Sequence, residues 1–234
     1  MTACKRNDGR KCNEMREISA KVGIVPTAKG SAMFKIGNTI AMATVQGPRE
    51  LYPSFLQNPE KGILRCNYNM MAFSGSGDRV RPGPNRRSKE ISMITKYALE
   101  PVLDLKAFPG GVVDVFIELL QTDAGTRCAG ICAAALALAD AGIPMKDMIS
   151  ALSIGILDGE ILMDINGYED CDAGATDIPF AIANRTGELT LLQADGLFTK
   201  EQLLEATKLA IEGCKKIHEV QIAALKAKYA GEAK

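Results

Sequence analysis

The segment that most constrains this 234-residue chain is RCAGICAAALALADA, residues 127–141. Its Ala and Leu content favours a helix. Apolar residues fall on almost every face of that helix, so it has no wet side and belongs inside a core. Its Ala and Gly residues let neighbours approach closely. The preceding segment, VVDVFIELL at 112–120, is dense in β-branched residues and reads as a buried strand. QTDAGT joins the two, giving a central strand, turn, helix unit.

Residues 17–47 alternate short apolar runs with Gly, Lys and Pro breaks, and Gly37-Asn38 marks a hairpin between SAMFKI and TIAMATV. A strand over 63–73 leads into a polar loop, 74–85, which is too long for a simple connector. Ser88 can cap a helix over 89–103, where Ile91, Ile94, Ala98 and Leu99 fall at helical spacing. Further strands read at 151–157, 161–165, 178–183 and 189–193, separated by Asp-Gly, Asn-Gly and Thr-Gly turns. Thr199 and Gln202 make a capping box for a last helix with the stripe Leu204, Ile211, Cys214, Ile222, Leu225 and Tyr229. This order predicts an α/β (α+β) fold of two αβ halves packed together. The expected divisions are an N-terminal extension at 1–16, a single domain at 17–230 and a tail at 231–234.

Composition narrows the chemistry. With 28 Lys plus Arg against 28 Asp plus Glu, no global field attracts a polyanion, so any such site is local. Seven scattered cysteines without a CxxC pair fit reduced thiols in a cytosol, and Cys128 and Cys132 read as buried small hydrophobes. The polar N-terminus lacks a signal h-region, and no run approaches the roughly 20 apolar residues that span a bilayer, so a cytoplasmic protein without a membrane partner is expected. His218 is the only histidine and lies on the last helix, which disfavours Ser/His/Asp and Cys/His catalysis. Walker and GxGxxG motifs are absent.

Three constellations remain. In TDAGTR, the first-turn N–H groups of the buried helix lack intrahelical acceptors. Gly125 allows close approach, Thr126 offers a hydroxyl and Arg127 can grip a phosphate in two places. A plain structural cap is the competing reading, but a cation at the positive end of a helix is disfavoured unless an anion joins it. The run RVRPGPNRRSK, from Arg79 to Lys89, carries five cations and no acid, with Arg86 and Arg87 just before a helix start. It reads either as a solvated loop or as a polyanion site recognising backbone, because aromatics are only 5% and Trp is absent. Tyr68 is the best stacking candidate, with a core role equally open. Third, Asp164, Glu169, Asp170, Asp172 and Asp177 surround a Gly-rich turn. They are loop acids by default, but Asp177 opens an apolar strand, where partial burial would raise its pKa for proton donation, and such carboxylates can hold magnesium.

These motifs together resemble the ribonuclease PH family, and within it the catalytic subunits of archaeal exosomes. The likeness runs through NDGRKCNEMRE, GSAMFKIGNT, GPRE, LRCNYNMMAFS, RPGPNRRSKEIS, LLQTDAGTR, DAGIPMKDMIS, the ILDG turn and LLQADG, and covers nearly the whole chain. It implies a ribonuclease PH fold with two βαβ-like halves of the ribosomal protein S5 domain 2-like type. It also implies phosphate held by Gly125, Thr126 and Arg127, an RNA 3′ end bound by Arg86 and Arg87, and a strand guided by Arg65. Asp170 and Asp177 are the implied acidic pair, with Mg2+ as their metal and inorganic phosphate as co-substrate. The family usually spaces those acids six apart; here positions 170 and 177 are seven apart, which makes Asp172 a possible substitute for Asp170.

The implied activity is 3′-to-5′ phosphorolysis of RNA, releasing nucleoside 5′-diphosphates and able to run backwards to add tails. The implied assembly is a hexameric ring of three heterodimers with an inactive relative, fed by RNA-binding cap proteins. Two alternatives stand beside it: a homohexameric ribonuclease PH that trims tRNA 3′ ends, and a noncatalytic RNA-binding ring subunit.

Overall fold

The central helix is α2, Thr126–Asp140, and only Arg127 and Ala139 along it escape burial. A computed structural model describes residues 6–75, 81 and 83–232; Arg79, the first cation of the basic run, and the outer ends of the expected extension and tail lie outside them. Full burial of Ile131, Leu136 and Leu138 in α2 contributes about 1.5–3 kcal/mol each. That burial takes cover on both sides, and two sheets supply it.

The first sheet contains β1 (Ile18–Val22), β2 (Gly30–Ile36), β3 (Thr39–Glu50), β4 (Ile63–Met70) and β5 (Gly111–Gln121), in the order β1-β2-β3-β5-β4. Its pairs are antiparallel except β4 with β5, which run parallel and are joined through helix α1, Arg86–Leu99. The second sheet contains β6 (Ile149–Leu157), β7 (Glu160–Met163), β8 (Thr176–Ala183) and β9 (Leu189–Leu192), in the order β7-β6-β8-β9, antiparallel throughout. α2 packs against β2, β3 and β5 on one side and β6 and β8 on the other. α1 and the C-terminal helix α3, Lys200–Glu232, flank it and each touches both sheets. The expected two αβ halves are present, layered as sheet, helices, sheet.

Local chemistry moves several boundaries. α1 is capped by Asn85, not Ser88: the Asn85 side chain accepts from Ser88 N at 2.7 Å while Asn85 N donates to Ser88 Oγ at 2.9 Å. Arg86 and Arg87 are therefore its first two helical residues, and it ends at Leu99, ahead of Pro101, which has no N–H to continue the ladder. In α3 the expected capping box forms, with Gln202 N donating to Thr199 Oγ1 and Thr199 N to Gln202 Oε1. The expected stripe is partly wrong. Ala206, Ala210, Cys214 and Ile217 face the core, whereas Leu204 and Tyr229 are about half exposed. Small residues win that face because α3 lies tight on β6: a Cβ added at Gly213 would overlap Leu152. Cys66, Cys128, Cys132, Cys171 and Cys214 are free thiols, as expected, but Cys12 is disulfide-bonded. Among the described residues no helix is long and apolar enough to cross a membrane.

Candidate active site

After β5 the chain reverses into α2 through two left-handed residues, Ala124 (φ 52°) and Gly125 (φ 60°). The conformation suits glycine but costs alanine about 1–2 kcal/mol, so neighbouring bonds must hold it. Thr39 Oγ1 accepts from Asp123 N at 3.0 Å and shares its own proton between the Asp123 and Ala124 carbonyls. The N-cap of α2 is Gly125, and no side chain caps this end, which removes the structural-cap reading of Thr126. The first-turn amides are left facing a cleft of about 410 Å³.

The cleft has a cationic wall and an acidic wall. Gly125, Thr126 and Arg127 from α2 and Arg87 from α1 line the first, and Asp170, Asp177 and Asp195 line the second. Arg127 Nη1 donates to Gln193 Oε1 at 2.6 Å, which orients the guanidinium across the gap. Asp177, the second residue of β8, lies opposite Gly155 of β6 and accepts through Oδ1 from the buried Ser153 hydroxyl. Asp170 is held above the ordinary aspartate value of 3.8, first by burial and then by the charge of Asp177; Arg87 and Arg127 oppose this without cancelling it. Burial and the neighbouring carboxylate thus favour the protonated form of Asp170.

The seven-residue spacing is absorbed by backbone geometry. Residues Tyr168–Asp172 form a π-helical turn, closed by Ala173 N donating to Tyr168 O at 2.8 Å, and a π turn holds one more residue than an α turn. Asp170 thereby lines the cleft beside Asp177, while Asp172 is exposed outside it. The structure selects Asp170 over Asp172 as the neighbour of Asp177.

Other candidates are not gathered here. Arg86 is exposed and does not line the cleft, although Arg87 does. Arg65 lies on β4 above a separate depression with Lys96 and Tyr97, and its Nε and Nη2 donate to Asp114 at 2.6 and 2.9 Å. Arg49 shares the same carboxylate, and together these cations hold Asp114 below 3.8 against the pull of burial. Tyr68 is 4% exposed, with its ring against Gly130, so it is a core residue and no stacking platform. Asp164 and Glu169 are buried in ion pairs with Arg16 and Arg6.

Sequence reasoning missed Ser153, Gln193 and Asp195. The last two stand in the LLQADG motif, but nothing local marks a strand end that returns to α2. No three His, Cys, Asp or Glu side chains converge on a metal position among the described residues. Magnesium requires less, being held by one or two carboxylates together with substrate phosphate oxygens. Asp170 and Asp177 fit that requirement.

With this geometry in view, the comparisons with known proteins agree. Residues 14–144 match domain 1, and residues 147–213 domain 2, of the RNase PH 3′ exoribonuclease family. The exosome complex component Rrp41 of Pyrococcus furiosus is 52% identical over 225 residues, covering 96% of this chain and 89% of that protein. The corresponding protein of Methanopyrus kandleri is 46% identical, over 97% and 94%. Among solved structures, rice Rrp46 superposes with a TM-score of 0.83 at 25% identity, over 94% of this chain and all of that one. The Archaeoglobus fulgidus exosome with RNA bound to its active site gives 0.80 at 23% identity, over 92% of each chain. The chain belongs to the RNase PH 3′ exoribonuclease family.

Proposed function

We propose that this chain is the catalytic subunit of an archaeal exosome, shortening RNA from its 3′ end with inorganic phosphate. One observation carries the reading: an uncapped helix start bearing Gly125, Thr126 and Arg127 faces Asp170 and Asp177 across a single cleft. The relatives' identity as exosome components supports it.

Phosphate sits at the start of α2, where amides, the helix dipole and Arg127 offset its charge. Arg87 draws the last internucleotide phosphate of the RNA towards it. A phosphate oxygen bonds to that phosphorus, the bond to the 3′ oxygen of the preceding nucleotide breaks, and the terminal nucleoside leaves as its 5′-diphosphate. Asp170, whose proton affinity is raised by burial, supplies the proton to the departing 3′ oxygen, with Asp177 fixed beside it by Ser153. Two anions must meet in this step, so positioning and charge neutralisation are the main sources of rate. Were magnesium bound, Asp177, with Asp170 once it has given up its proton, would hold it, and it would add further neutralisation of phosphate charge. The phosphodiester broken is replaced by the phosphoanhydride of the diphosphate, so the bond energy stays in the product and nucleoside diphosphates can run the reaction backwards to add tails to RNA. Arg86, and Arg65 away from the cleft, hold the RNA backbone upstream.

The assembly proposed is a hexameric ring of three heterodimers with an inactive relative, fed by RNA-binding cap proteins. The test is incubation of oligoribonucleotide with the chain and its ring partner, with and without phosphate. Nucleoside diphosphates appearing only with phosphate are expected. Nucleoside monophosphates released without phosphate would show hydrolysis and overturn the reading.

A further inference from the structure

The two walls of the cleft come from different halves of the fold: the phosphate end from the β5–α2 connection, the acids from the second sheet and its π turn. Chemistry between them needs their separation fixed to within an ångström. A buried arginine outside the cleft spans that seam.

Arg16 has a side chain only 7% exposed. Its Nε and Nη2 donate to the two Asp164 oxygens at 2.8 and 2.7 Å, and its backbone N adds a third bond to Asp164 at 2.9 Å. The remaining arm, Nη1, donates to the Asp123 carbonyl and lies 3.4 Å from the Asp123 carboxylate. Asp123 immediately precedes the Ala124-Gly125 reversal, and a Cβ at Gly125 would stand 3.6 Å from Arg16 Nη2. On the other side, Asp164 N donates to the carbonyl of Ser153, whose hydroxyl holds Asp177. Gly167, where the turn carrying Asp170 begins, donates its N–H to Asp123 Oδ1 at 2.7 Å.

We propose that Arg16 is a positioning residue for the reaction: its guanidinium clamps the start of α2 to the strand and turn that carry Asp177 and Asp170. The inference rests on the phosphorolytic reading above. A buried ion pair adds little net stability over an apolar replacement, but a planar fork with donors on three edges fixes two loops in one geometry. Lysine, a flexible point charge, cannot do so. Thr126, Arg127 and the first-turn amides, held in place by α2 itself, supply the phosphate contacts besides Gly125, so loosening the clamp impairs the chemical step more than phosphate binding.

The test compares wild type with Arg16→Lys, and with Asp164→Asn as a second variant that keeps shape and tolerates the left-handed backbone at 164 (φ 57°). Phosphorolysis is measured in the assembled complex at varied phosphate, and hydrogen–deuterium exchange is measured over 121–127 and 164–172. The expected result is a fall in kcat of about tenfold to hundredfold, a KM for phosphate within about twofold of wild type, and faster exchange confined to those two segments. A folded Arg16→Lys with kcat within about twofold of wild type overturns the proposal, as does exchange rising throughout the chain with kcat and KM worsening together. If wild type releases no diphosphates, the phosphorolytic reading fails, and exchange still decides the clamp: acceleration in both segments supports it, and in one or neither refutes it.

Discussion

Replacing Arg127 with Gln separates a ligand-binding arginine from a structural one. Arg127 is the second residue of α2, where the helix dipole disfavours a cation by about 0.3–1 kcal/mol. Its hydrogen bond to Gln193, only part-buried and screened by water below the full charge-assisted strength, returns about 0.5–1.5 kcal/mol. These nearly cancel, so without phosphate the variant is expected to unfold within about 1 kcal/mol of wild type. With phosphate the two diverge. At phosphate a hundredfold above its dissociation constant, wild type gains about 2.7 kcal/mol.

Charge-assisted hydrogen bonds of the kind Arg127 makes are worth about 1.5–3 kcal/mol, so losing them weakens phosphate binding by about 13-fold to 160-fold. At the same phosphate concentration the gain then shrinks to about 1.3 kcal/mol at best and about 0.3 kcal/mol at worst. Urea unfolding at fixed protein concentration, with and without phosphate, measures both quantities. Undiminished stabilisation of Arg127→Gln by phosphate would refute the anion site, and a loss above about 2 kcal/mol without phosphate would mark Arg127 as a structural residue.

Three other perturbations test separate links. Asp170 binds its proton more tightly folded than unfolded, so its contribution to stability is full below pH 3.8 and is lost as pH rises through the higher folded value. Asp170→Asn should remove that loss, and an unchanged pH dependence of urea unfolding in the acid range contradicts the burial argument. Ser153→Ala takes away the donor that fixes Asp177 and should lower kcat by about tenfold or more with phosphate KM preserved; unchanged steady-state kinetics would remove Ser153 from the site. Gly30→Ala places a Cβ on the Ala141 nitrogen and the Ala137 carbonyl where β2 meets α2, and thermal unfolding should show a loss of about 1–3 kcal/mol. Wild-type stability there would disprove the tight seam.

Features set by neighbours along the chain were readable from the sequence. The all-apolar face of α2, the Gly37-Asn38 hairpin and the Thr199–Gln202 capping box each follow from local patterns, and each is present. Asn85 displaced Ser88 as the cap of α1 because both residues can cap and only the backbone angles decide. Long-range register was invisible. Arg65 pairs with Asp114 because parallel β4 and β5 set them side by side, and no spacing in the sequence announces it. The acid cluster looked uniform, yet buried arginines at positions 6 and 16 claim Glu169 and Asp164, and the π turn sends Asp172 outward. The charge of the N-terminal stretch concealed this packing: Arg6 is buried on Glu169, and the Arg16 side chain is largely covered on Asp164.

The site joins two arrangements that are each unfavourable alone. Arginines at the starts of α1 and α2 oppose the helix dipoles, and Asp170 is half-buried beside another carboxylate. Across the cleft they partly relieve one another, since Arg87 and Arg127 are the groups that lower the proton affinity of Asp170. On the phosphorolytic reading, a phosphate bound between those arginines would neutralise their field and remove that lowering influence, so Asp170 would hold its proton more firmly with the attacking group in place. The same charge that must be neutralised for attack would therefore favour the protonated acid that the leaving oxygen needs. Here the arginines stand at the starts of α1 and α2 and the acids on the second sheet and its π turn, so the distance between those elements matters as much as the residues themselves.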